Sequence, residues 1–470
     1  MRVHQAYRFE LDPNDRVRAA LASHCGASRF AYNWGLALVK IRLEGRDAIR
    51  QAALRELLCD TEVERLARSV AVPWNLPALR REWNRSKTDV APWWRENSKE
   101  AYSSGLDALA RALEGFSKAK KGERAGTIGF PRAKLRWSQW KCRFTTGAIH
   151  VLDDRHVQLP RIGVVRSKEP TTKLGQLLDE GRARILSATI SEEAGRWFVS
   201  FTCEVERSEL PATSPDAVVG VDLGVKHLAV VSTGQVVENP KARSRYERSM
   251  ARLNRELDRR QLGSKRRART KAKLARCHRN VVNTRRDALH KLTTELAATC
   301  GTVVVEDLNV AGMTAKPKPV PDGAGGYARN GRRRKAGLNR VVLDVSPSEV
   351  RRQLAYKLEW KRGRLIVADR FFPSSKTCSR CGAVKAKLAL SERTYRCDCG
   401  LVIDRDFNAA LNLAAHGRRV VAGSGPETQN ARGGGHPRPR SKPPMKREDG
   451  TGEPGRTVTV SSQEETASPW

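Results

Sequence analysis

The sequence lacks long apolar runs. No stretch approaches the roughly 18 consecutive apolar residues that a transmembrane helix needs. Residues 1–12 also lack the apolar segment of a secretory signal peptide and show a loose strand-like alternation instead. These absences argue against an integral membrane protein and against a secreted one. We therefore expect a cytoplasmic bacterial protein without a membrane partner.

Acidic residues are too few to balance the basic ones. The chain has 51 Asp and Glu against 88 Lys and Arg, which gives its 470 residues a formal net charge of +37. Such a surplus repels itself unless a polyanion neutralises it, and nucleic acid is the partner that this charge favours. Bound to DNA, the protein is expected to be associated with the nucleoid. The alternative is a basic protein with a basic tail. The charge also runs through segments with helical and loop patterns, which favours the nucleic-acid interpretation.

Most of the ten cysteines stand alone, but four are crowded together. Cys378 and Cys381 are separated by two residues, and Cys397 and Cys399 by one, with fifteen residues between the two pairs. Disulfide-rich scaffolds are usually small and secreted, so this spacing instead predicts a metal site. Four thiolates close a tetrahedral structural site around one Zn²⁺; iron is the less favoured alternative. The second pair is tighter than the usual Cys-x-x-Cys.

The pattern of the first half predicts a β-rich region with a helical insertion. Residues 3–11 alternate like a strand, and residues 15–119 have helical patterns. Residues 130–206 contain short apolar runs punctuated by proline and glycine, which is typical of strands. We expect the first strand to join this later β-rich region.

The second half alternates strands with basic helices. Strands are predicted at residues 217–222, 227–232, 302–306 and 365–368. Residues 314–340 are predicted to be a polar loop. Ser346 and Glu349 are expected to form a capping box for the helix that follows, with Pro347 in its first turn. Beyond residue 417, the composition predicts a disordered tail.

Two carboxylates follow buried-type strands. Asp222 ends the run Val-Val-Gly-Val-Asp, and Glu306 ends the run Val-Val-Val-Glu. A carboxylate in such a position is costly unless it binds something. A third carboxylate from a crossing helix would complete a site for hard divalent cations, and Asp406 or Asp404 has the right position. The residue types alone do not choose between these two, although Asp404 suits a helix N-cap.

A site of this kind would hold two Mg²⁺ ions about 3.5–4 Å apart and hydrolyse phosphodiesters. Asp307 follows Glu306 directly. Because neighbours along a strand point to opposite faces, only one of the two can face the metal ions.

Five ordered sequence blocks resemble the TnpB (OrfB) family of insertion-sequence proteins, which is similar to compact type V CRISPR effectors. The blocks contain Ala27–Leu36, Gly220–Lys226, Val303–Asn309, Phe371–Gly382 and Cys399–Leu413, and together the resemblance covers nearly all of residues 1–416. It implies an α/β multi-domain fold in which a RuvC-like, RNase H-fold nuclease domain carries a zinc-ribbon insertion. A β-barrel wedge domain with a helical recognition insertion would precede it.

The resemblance also implies domain boundaries. They are a wedge at residues 1–14 and 127–210, a recognition lobe at 15–126, a nuclease domain at 216–372 and 403–417, a zinc ribbon at 373–402 and a disordered tail at 418–470. In the family pattern Asp-x-Asn-Ala, the aspartate is catalytic, which favours Asp406 over Asp404. Asp222, Glu306 and Asp406 are then the implied catalytic and Mg²⁺-binding residues.

The implied activity is RNA-guided, Mg²⁺-dependent cleavage of double-stranded DNA beside a short motif, with a guide RNA from the transposon end. The basic helices of residues 241–286 and the loop of residues 316–340 are candidates for holding the guide–target duplex by backbone charge. Their alternative is a solvated charged surface. The competing functions are a guided DNA-binding protein with little or no nuclease activity, and a transposition-linked DNA enzyme without a guide. The sequence leaves the oligomeric state, the target motif and a CRISPR context open.

Overall fold

The structure is a computed structural model, and it describes residues 1–423 except residues 125, 137, 208–210, 324 and 390. The predicted disordered tail lies, from residue 424 onward, outside the described residues. None of the described helices combines the length and the apolar run that a bilayer span requires.

The described chain is a mixed α/β structure. Its strands are β1 (Arg2–Leu11), β2 (Lys141–Phe144), β3 (His150–Val151), β4 (His156–Leu159), β5 (Gly163–Arg166), β6 (Ala183–Glu193), β7 (Arg196–Glu206), β8 (Ser214–Asp222), β9 (His227–Val231), β10 (Val236–Glu238), β11 (Cys300–Glu306), β12 (Arg364–Ala368), β13 (Thr394–Arg396) and β14 (Val402–Asp404). Its helices are α1 (Asp15–Arg55), α2 (Asp60–Arg68), α3 (Leu76–Val90), α4 (Lys99–Lys120), α5 (Thr172–Asp179), α6 (Ala242–Arg259), α7 (Lys265–Thr299), α8 (Val310–Met313), α9 (Arg332–Val345), α10 (Pro347–Glu359) and α11 (Arg405–Ala422), with a 3₁₀ turn at Pro92–Glu96.

The first strand joins the later β-rich region, as the sequence predicts. β1 pairs antiparallel with β7 along its whole length, in a four-stranded sheet ordered β1-β7-β6-β2. The helices α1–α4 therefore lie, along the chain, between two strands of one sheet. Strands β3, β4 and β5 form a smaller antiparallel sheet.

The helices of residues 15–120 share one hydrophobic core with this sheet. Leu21 and Leu106, from α1 and α4, are fully buried in the same cluster as Phe144 and Phe201 from the sheet. Gly105 lets the two helices meet, because a Cβ there would lie 2.0 Å from a backbone oxygen of α1. The regions predicted as wedge and recognition lobe are thus packed against each other over a continuous interior.

A second sheet, ordered β10-β9-β8-β11-β12, forms the other half of the chain. β8, β9 and β10 are antiparallel neighbours, whereas β11 runs parallel to both β8 and β12. Because side chains alternate along a strand, Val303 and Val305 face the core that α7 and α10 share. Val304 faces the opposite side, where it packs with Leu413 of α11. The sheet is therefore covered by helices on both faces.

Three local predictions are wrong. The predicted disordered tail of residues 418–470 begins too early, because residues 418–422 belong to α11. Ser346 has a left-handed backbone (φ +53°) and donates its hydroxyl to the Leu343 carbonyl, while Glu349 binds Arg352 and Gln353, so no capping box forms. The predicted loop of residues 314–340 becomes helical at Arg332, where α9 begins. Val342 and Val345, three positions apart near the end of this helix, are buried, whereas Leu338 and Leu343 are about half exposed.

Candidate active site and metal centre

The structure brings the four predicted cysteine ligands together. The Sγ atoms of Cys378 and Cys399 are 3.7 Å apart, those of Cys381 and Cys397 are 3.6 Å apart, and all four lie within 4.8 Å of one another. A tetrahedron with metal–sulfur bonds of about 2.3 Å has edges of about 3.8 Å. The donor set and its spacing therefore fit one four-coordinate metal ion.

Local turns build this cluster. Gly382 and Gly400 follow the two cysteine pairs and have φ angles of +79° and +85°, which residues with a Cβ rarely adopt. Their N–H groups donate to the carbonyl oxygens of Cys378 and Cys397, each at 3.0 Å. These turns fold the thiols back towards one point.

The surroundings favour the thiolate form at Cys378 but not at Cys397. The backbone N–H of Cys399 favours the Cys397 thiolate, but burial and the neighbouring thiols of Cys378 and Cys381 outweigh it and raise the pKa of Cys397. Burial opposes ionisation of Cys378, but the backbone N–H groups of Cys381 and Arg380 outweigh it and lower the pKa of this thiol to about 6. The hairpin of β13 and β14 supports the site through Tyr395, which is fully buried and donates its hydroxyl to the Lys376 carbonyl at 3.1 Å.

The predicted carboxylates converge on another edge of the fold. Asp222 ends β8 and Glu306 ends β11; these strands are parallel neighbours, so both carboxylates lie at the same edge of the sheet. Asp406 lies in the first turn of α11. Burial, together with the negative charges of Glu306 and Asp406, raises the pKa of Asp222 to about 8. The charges of Glu306 and Asp406 therefore act on the Asp222 carboxyl.

The carboxylates are spaced more widely than the thiols. Among the described residues, the cysteines are the one group of three or more acidic, His or Cys side chains whose donor atoms all lie within 4.8 Å. Arg393 lies 4.0 Å from the Asp406 carboxylate, and the positive charge of Arg405 also acts on Asp222. Hard oxygen donors that share a negative charge fit divalent cations such as Mg²⁺.

The neighbouring acidic residues have other partners. Asp307 binds Arg351 at 2.7 Å and Arg370 at 2.8 Å through its two carboxylate oxygens. Asp404 accepts hydrogen bonds from the backbone N–H groups of Asp406 and Phe407, at 2.9 and 3.0 Å, and so caps α11 as its position predicts. Asp406 is thus the aspartate at the start of α11 that is not used for capping.

A glycine determines how closely α11 approaches the sheet. A Cβ at Gly220, two residues before Asp222, would lie 2.1 Å from the Ala410 carbonyl oxygen and 2.5 Å from the Ala414 nitrogen. Contacts this short do not occur, so α11 packs its backbone directly on β8 only because residue 220 is glycine. Gly417 plays the same part further along the helix, facing Val218 and Val304.

Three positioning residues were missed by the sequence analysis. The Ser374 hydroxyl donates to the Glu306 carboxylate. The Asn412 amide donates to the carbonyls of Ser374 and Thr377, both at 2.7 Å, and Asn408 contacts Thr377 and the backbone N–H of Ser379, next to Cys378. The two asparagines are buried and four residues apart on one helix. This pair of polar residues in a largely apolar helix was the feature of the sequence from which their positioning role could have been predicted.

Family models match three parts of the chain. The model described as "Probable transposase" (OrfB_IS605) matches residues 200–316, and the model "Cas12f1-like, TNB domain" matches residues 348–413. A model described as "Helix-turn-helix domain" matches residues 1–46. All residues of this last segment are described. They form β1 and the first part of the single long helix α1.

Relatives align with most of the chain. A Mycobacterium tuberculosis protein is 36% identical over 88% of this chain and 86% of its own length. InsQ of Escherichia coli K12 is 30% identical over 89% of this chain and 93% of its own length. Both carry the provisional name RNA-guided DNA endonuclease. The solved Cas12f1–sgRNA–target DNA complex aligns over 88% of this chain and 99% of that chain, at 13% identity and a TM-score of 0.43.

These matches agree with the four-cysteine cluster and with the ordered sequence blocks. The identity to InsQ extends over nearly the whole of both chains, and not over one shared module. The chain belongs to the TnpB family.

Proposed function

We propose that the protein is an RNA-guided, Mg²⁺-dependent DNA endonuclease, encoded by a transposon, that cuts double-stranded DNA beside a short motif. The observation that carries this proposal is the convergence of Asp222, Glu306 and Asp406 at one sheet edge, in a chain with a net charge of +37. A basic protein attracts a polyanion, and a carboxylate cluster is the usual means of cutting its phosphodiesters.

The three carboxylates would hold two Mg²⁺ ions. The ions, when bound, activate water for attack on the phosphodiester and stabilise the leaving oxygen. The chain contributes the positions of the ligands. Parallel pairing aligns Asp222 with Glu306, Ser374 orients Glu306, and Gly220 allows α11 to bring Asp406 to the same edge. The mixed sheet with helices on both faces supports a RuvC-like assignment for this half of the chain.

The cysteine cluster is proposed to hold one structural Zn²⁺. Four protein thiols would leave no open coordination position, so the ion would take no part in hydrolysis. Its contribution would be to fold residues that have little hydrophobic core of their own. Through Asn408 and Asn412 it would also hold the segment that carries Ser374 against α11.

The guide RNA and its DNA target would be held through backbone charge. α7 exposes a series of basic side chains in its first half: Lys265, Arg266, Arg269, Lys271, Lys273 and Arg276. Phosphate contacts of this type give affinity without reading sequence, which base pairing with the guide would supply. The remaining assignments, a wedge-like β domain and a recognition lobe of α1–α4, belong to the same proposal.

The test begins with expression of the protein together with its flanking DNA and sequencing of the RNA that copurifies. We expect one defined RNA that ends in a variable segment, and cleavage of DNA matched to that segment when Mg²⁺ is present. Asp222→Ala should abolish cleavage but keep target binding. Asp216→Ala is the matched control, because Asp216 is exposed on the same strand.

Each contrary result points to a competing function. Heterogeneous RNA, or none, would contradict guidance and favour a transposition-linked DNA enzyme. A defined RNA with target binding but equal, negligible cleavage by the wild type and Asp222→Ala would leave a guided DNA-binding protein.

A further inference from the structure

The cysteines differ in exposure, and this difference separates the four-cysteine cluster from the rest. Of the six isolated cysteines, Cys59 is exposed and the others are buried: Cys25, Cys142, Cys203, Cys277 and Cys300. Burial raises the pKa of Cys25 and of Cys203 to about 12, so these thiols stay protonated and unreactive. Cys59 contacts the Thr61 hydroxyl at 3.1 Å, which cannot form a disulfide. Oxidation to disulfides is therefore expected at the cluster and not elsewhere.

Each close thiol pair of the cluster combines an exposed cysteine with a more sheltered one. Cys399 is exposed, and its sulfur lies 3.7 Å from that of the buried Cys378. Cys381 is exposed, and its sulfur lies 3.6 Å from that of the half-buried Cys397. One sulfur of each pair is thus open to a small oxidant, while the other is close enough to resolve the oxidised product into a disulfide. A purely structural zinc site requires four thiolates, but it does not require that two of them face solvent.

The segment that leads into the cluster also contacts the carboxylate edge. The Thr377 carbonyl, next to Cys378, accepts a hydrogen bond from the Asn412 amide at 2.7 Å. The same amide donates to the Ser374 carbonyl at 2.7 Å, and the Ser374 hydroxyl donates to the Glu306 carboxylate. Because these contacts lie directly before the first cysteine in the chain, a displacement of Cys378 would reach Glu306.

We propose that the four-cysteine cluster is a peroxide-sensitive switch, in which oxidation joins the thiols of each close pair, expels the proposed zinc ion and disables the carboxylate site. This inference rests on the proposed function and adds to it a form of regulation. A disulfide no longer offers the thiolates that hold a metal ion. Formation of two disulfides would also draw the turns at Gly382 and Gly400 together, and the segment that carries Ser374 would move with them.

The reaction balances with hydrogen peroxide as the oxidant. In each pair, the exposed thiolate attacks one peroxide oxygen, the O–O bond breaks, and protonation of the leaving hydroxide gives a sulfenic acid and one water. The second thiolate attacks the sulfenic sulfur, the S–S bond forms, and hydroxide leaves and is protonated to a second water. Each pair gives two electrons to one peroxide. Two peroxides and four protons thus convert the zinc-bound cluster into two disulfides, four waters and free Zn²⁺.

The first test measures zinc and disulfides and does not depend on cleavage. The complete zinc-loaded protein with its copurified RNA is treated with hydrogen peroxide, and released zinc is followed with a chromogenic chelator. We expect zinc release and, by peptide mass spectrometry, one disulfide between Cys378 and Cys399 and another between Cys381 and Cys397. Retention of zinc, or disulfides within the two sequence pairs instead, would refute the switch. Cys59→Ser is the control and should react like the wild type.

A variant without the exposed thiols tests where oxidation begins. Cys381→His combined with Cys399→His keeps four zinc ligands, as two cysteines and two histidines. Its remaining thiols, Cys378 and Cys397, are the more sheltered ones, so we expect peroxide to release zinc at least about tenfold more slowly. Release at the wild-type rate would contradict oxidation at the exposed sulfurs. If this variant binds no zinc, the disulfides of the wild type decide the question.

Cleavage distinguishes failure of the switch from failure of the proposed function. We expect peroxide to slow single-turnover cleavage by the wild type about 100-fold, which is what a misplacement of about 1 Å can cost, and a dithiol reductant with Zn²⁺ to restore it. Unchanged cleavage after complete zinc release would refute the switch and leave the guided nuclease intact. A wild type that never cuts matched DNA, but releases zinc and forms the two disulfides, would refute the nuclease while confirming oxidation of the cluster.

Discussion

The four-cysteine cluster takes its ligands from residues 378–399, whereas the carboxylate cluster takes its ligands from residues 222, 306 and 406. The thiols lie at 3.6–3.7 Å in pairs because local glycine turns bring them together. The carboxylates lie further apart, and each belongs to a different element. A thiol cluster can thus be prepared by its own segment, whereas a carboxylate cluster depends on the packing of a whole sheet and helix.

The two clusters are nevertheless connected, and we expect damage to pass from the cysteine cluster to the carboxylate cluster but not in the reverse direction. Asn408 and Asn412 of α11 hold residues 374–379, which lead from the Glu306 contact to the first cysteine. Damage to the cysteine cluster should therefore reach Glu306, whereas removal of a carboxylate should leave the cysteine cluster intact. This asymmetry determines the order of the expected effects.

The largest effect is expected from Cys378→Ser. Loss of one thiol should release the proposed zinc ion, whose binding would supply the folding energy of this small segment, and the Ser374 turn should lose its support. We expect zinc content near zero by elemental analysis and a fall in cleavage of at least about 100-fold. Cys59→Ser, at an exposed and isolated cysteine, should change neither. Normal cleavage without zinc would contradict the connection.

Gly220→Ala should damage the carboxylate site and spare the cysteine site. The new methyl group would meet the Ala410 carbonyl oxygen, so α11 must move away from β8 and take Asp406 with it. Overpacking of this kind costs about 1–3 kcal/mol of unfolding free energy. We expect a lower melting temperature and a fall in cleavage of about 100-fold, which is what a misplacement of about 1 Å can cost.

Two controls test whether the effect of Gly220→Ala is local. Gly26→Ala, in the middle of α1 with open space around it, should stabilise the protein slightly. Zinc content of the Gly220→Ala protein should stay at one ion per chain. Loss of zinc together with activity would show that the substitution unfolds the whole region, and would overturn its specific role.

A smaller effect is expected from Asn412→Ala. This change leaves the Ser374 carbonyl without its amide donor, at a cost of about 1–3 kcal/mol for a buried group, while the Thr377 carbonyl keeps the Asn408 amide. Cleavage should fall about tenfold, by loosening the Glu306 contact, while zinc affinity falls less. Asn254→Ala, on the exposed side of α6, provides the comparison. Equal cleavage rates for the two variants would argue against the link through Ser374.

The smallest effect is expected at the partly exposed ion pair of Glu349 and Arg352, which belongs to neither cluster. Arg352 binds Glu349 through two hydrogen bonds and, with Gln353, lowers the pKa of Glu349 from 4.5 to about 2. Because the folded pKa is depressed, the stabilisation is fully present above pH 4.5 and is lost as the pH falls towards 2. Glu349→Gln should cost about 1 kcal/mol at pH 7 after allowance for solvent screening, with no difference at pH 2. Denaturant titrations at several pH values measure this.

The sequence was sufficient where spacing or order along the chain carries the information. The cysteine pattern, the strands that end at Asp222 and Glu306, and the pairing of β1 with the later β-rich region are all predicted correctly. The sequence was not sufficient where a contact or a backbone conformation in the folded protein determines the local structure. The αL backbone of Ser346 ends one helix and starts another, and nothing in the local residues distinguishes that from a capping box.

The positioning residues show the same limit. The roles of Ser374 and Asn412 exist only once α11 is packed against the turn that contains Ser374. Gly220 belongs to a recognisable sequence block, but its contact with Ala410 joins residues that are far apart in the chain. Asp404 differs, because helix capping is a local property, and its role was predicted.

The direct contact between β8 and α11 also bears on protein synthesis. The chain leaves the ribosome from its N-terminus, so β8 emerges long before the helix that must cover Gly220. A nascent chain can pair β1 with β7 and assemble its first core while Asp222 and Glu306 still lack their third partner. The nuclease proposed here would therefore remain unable to cut until translation has passed α11, and the cell's own DNA would not be exposed to an unfinished, unguided enzyme.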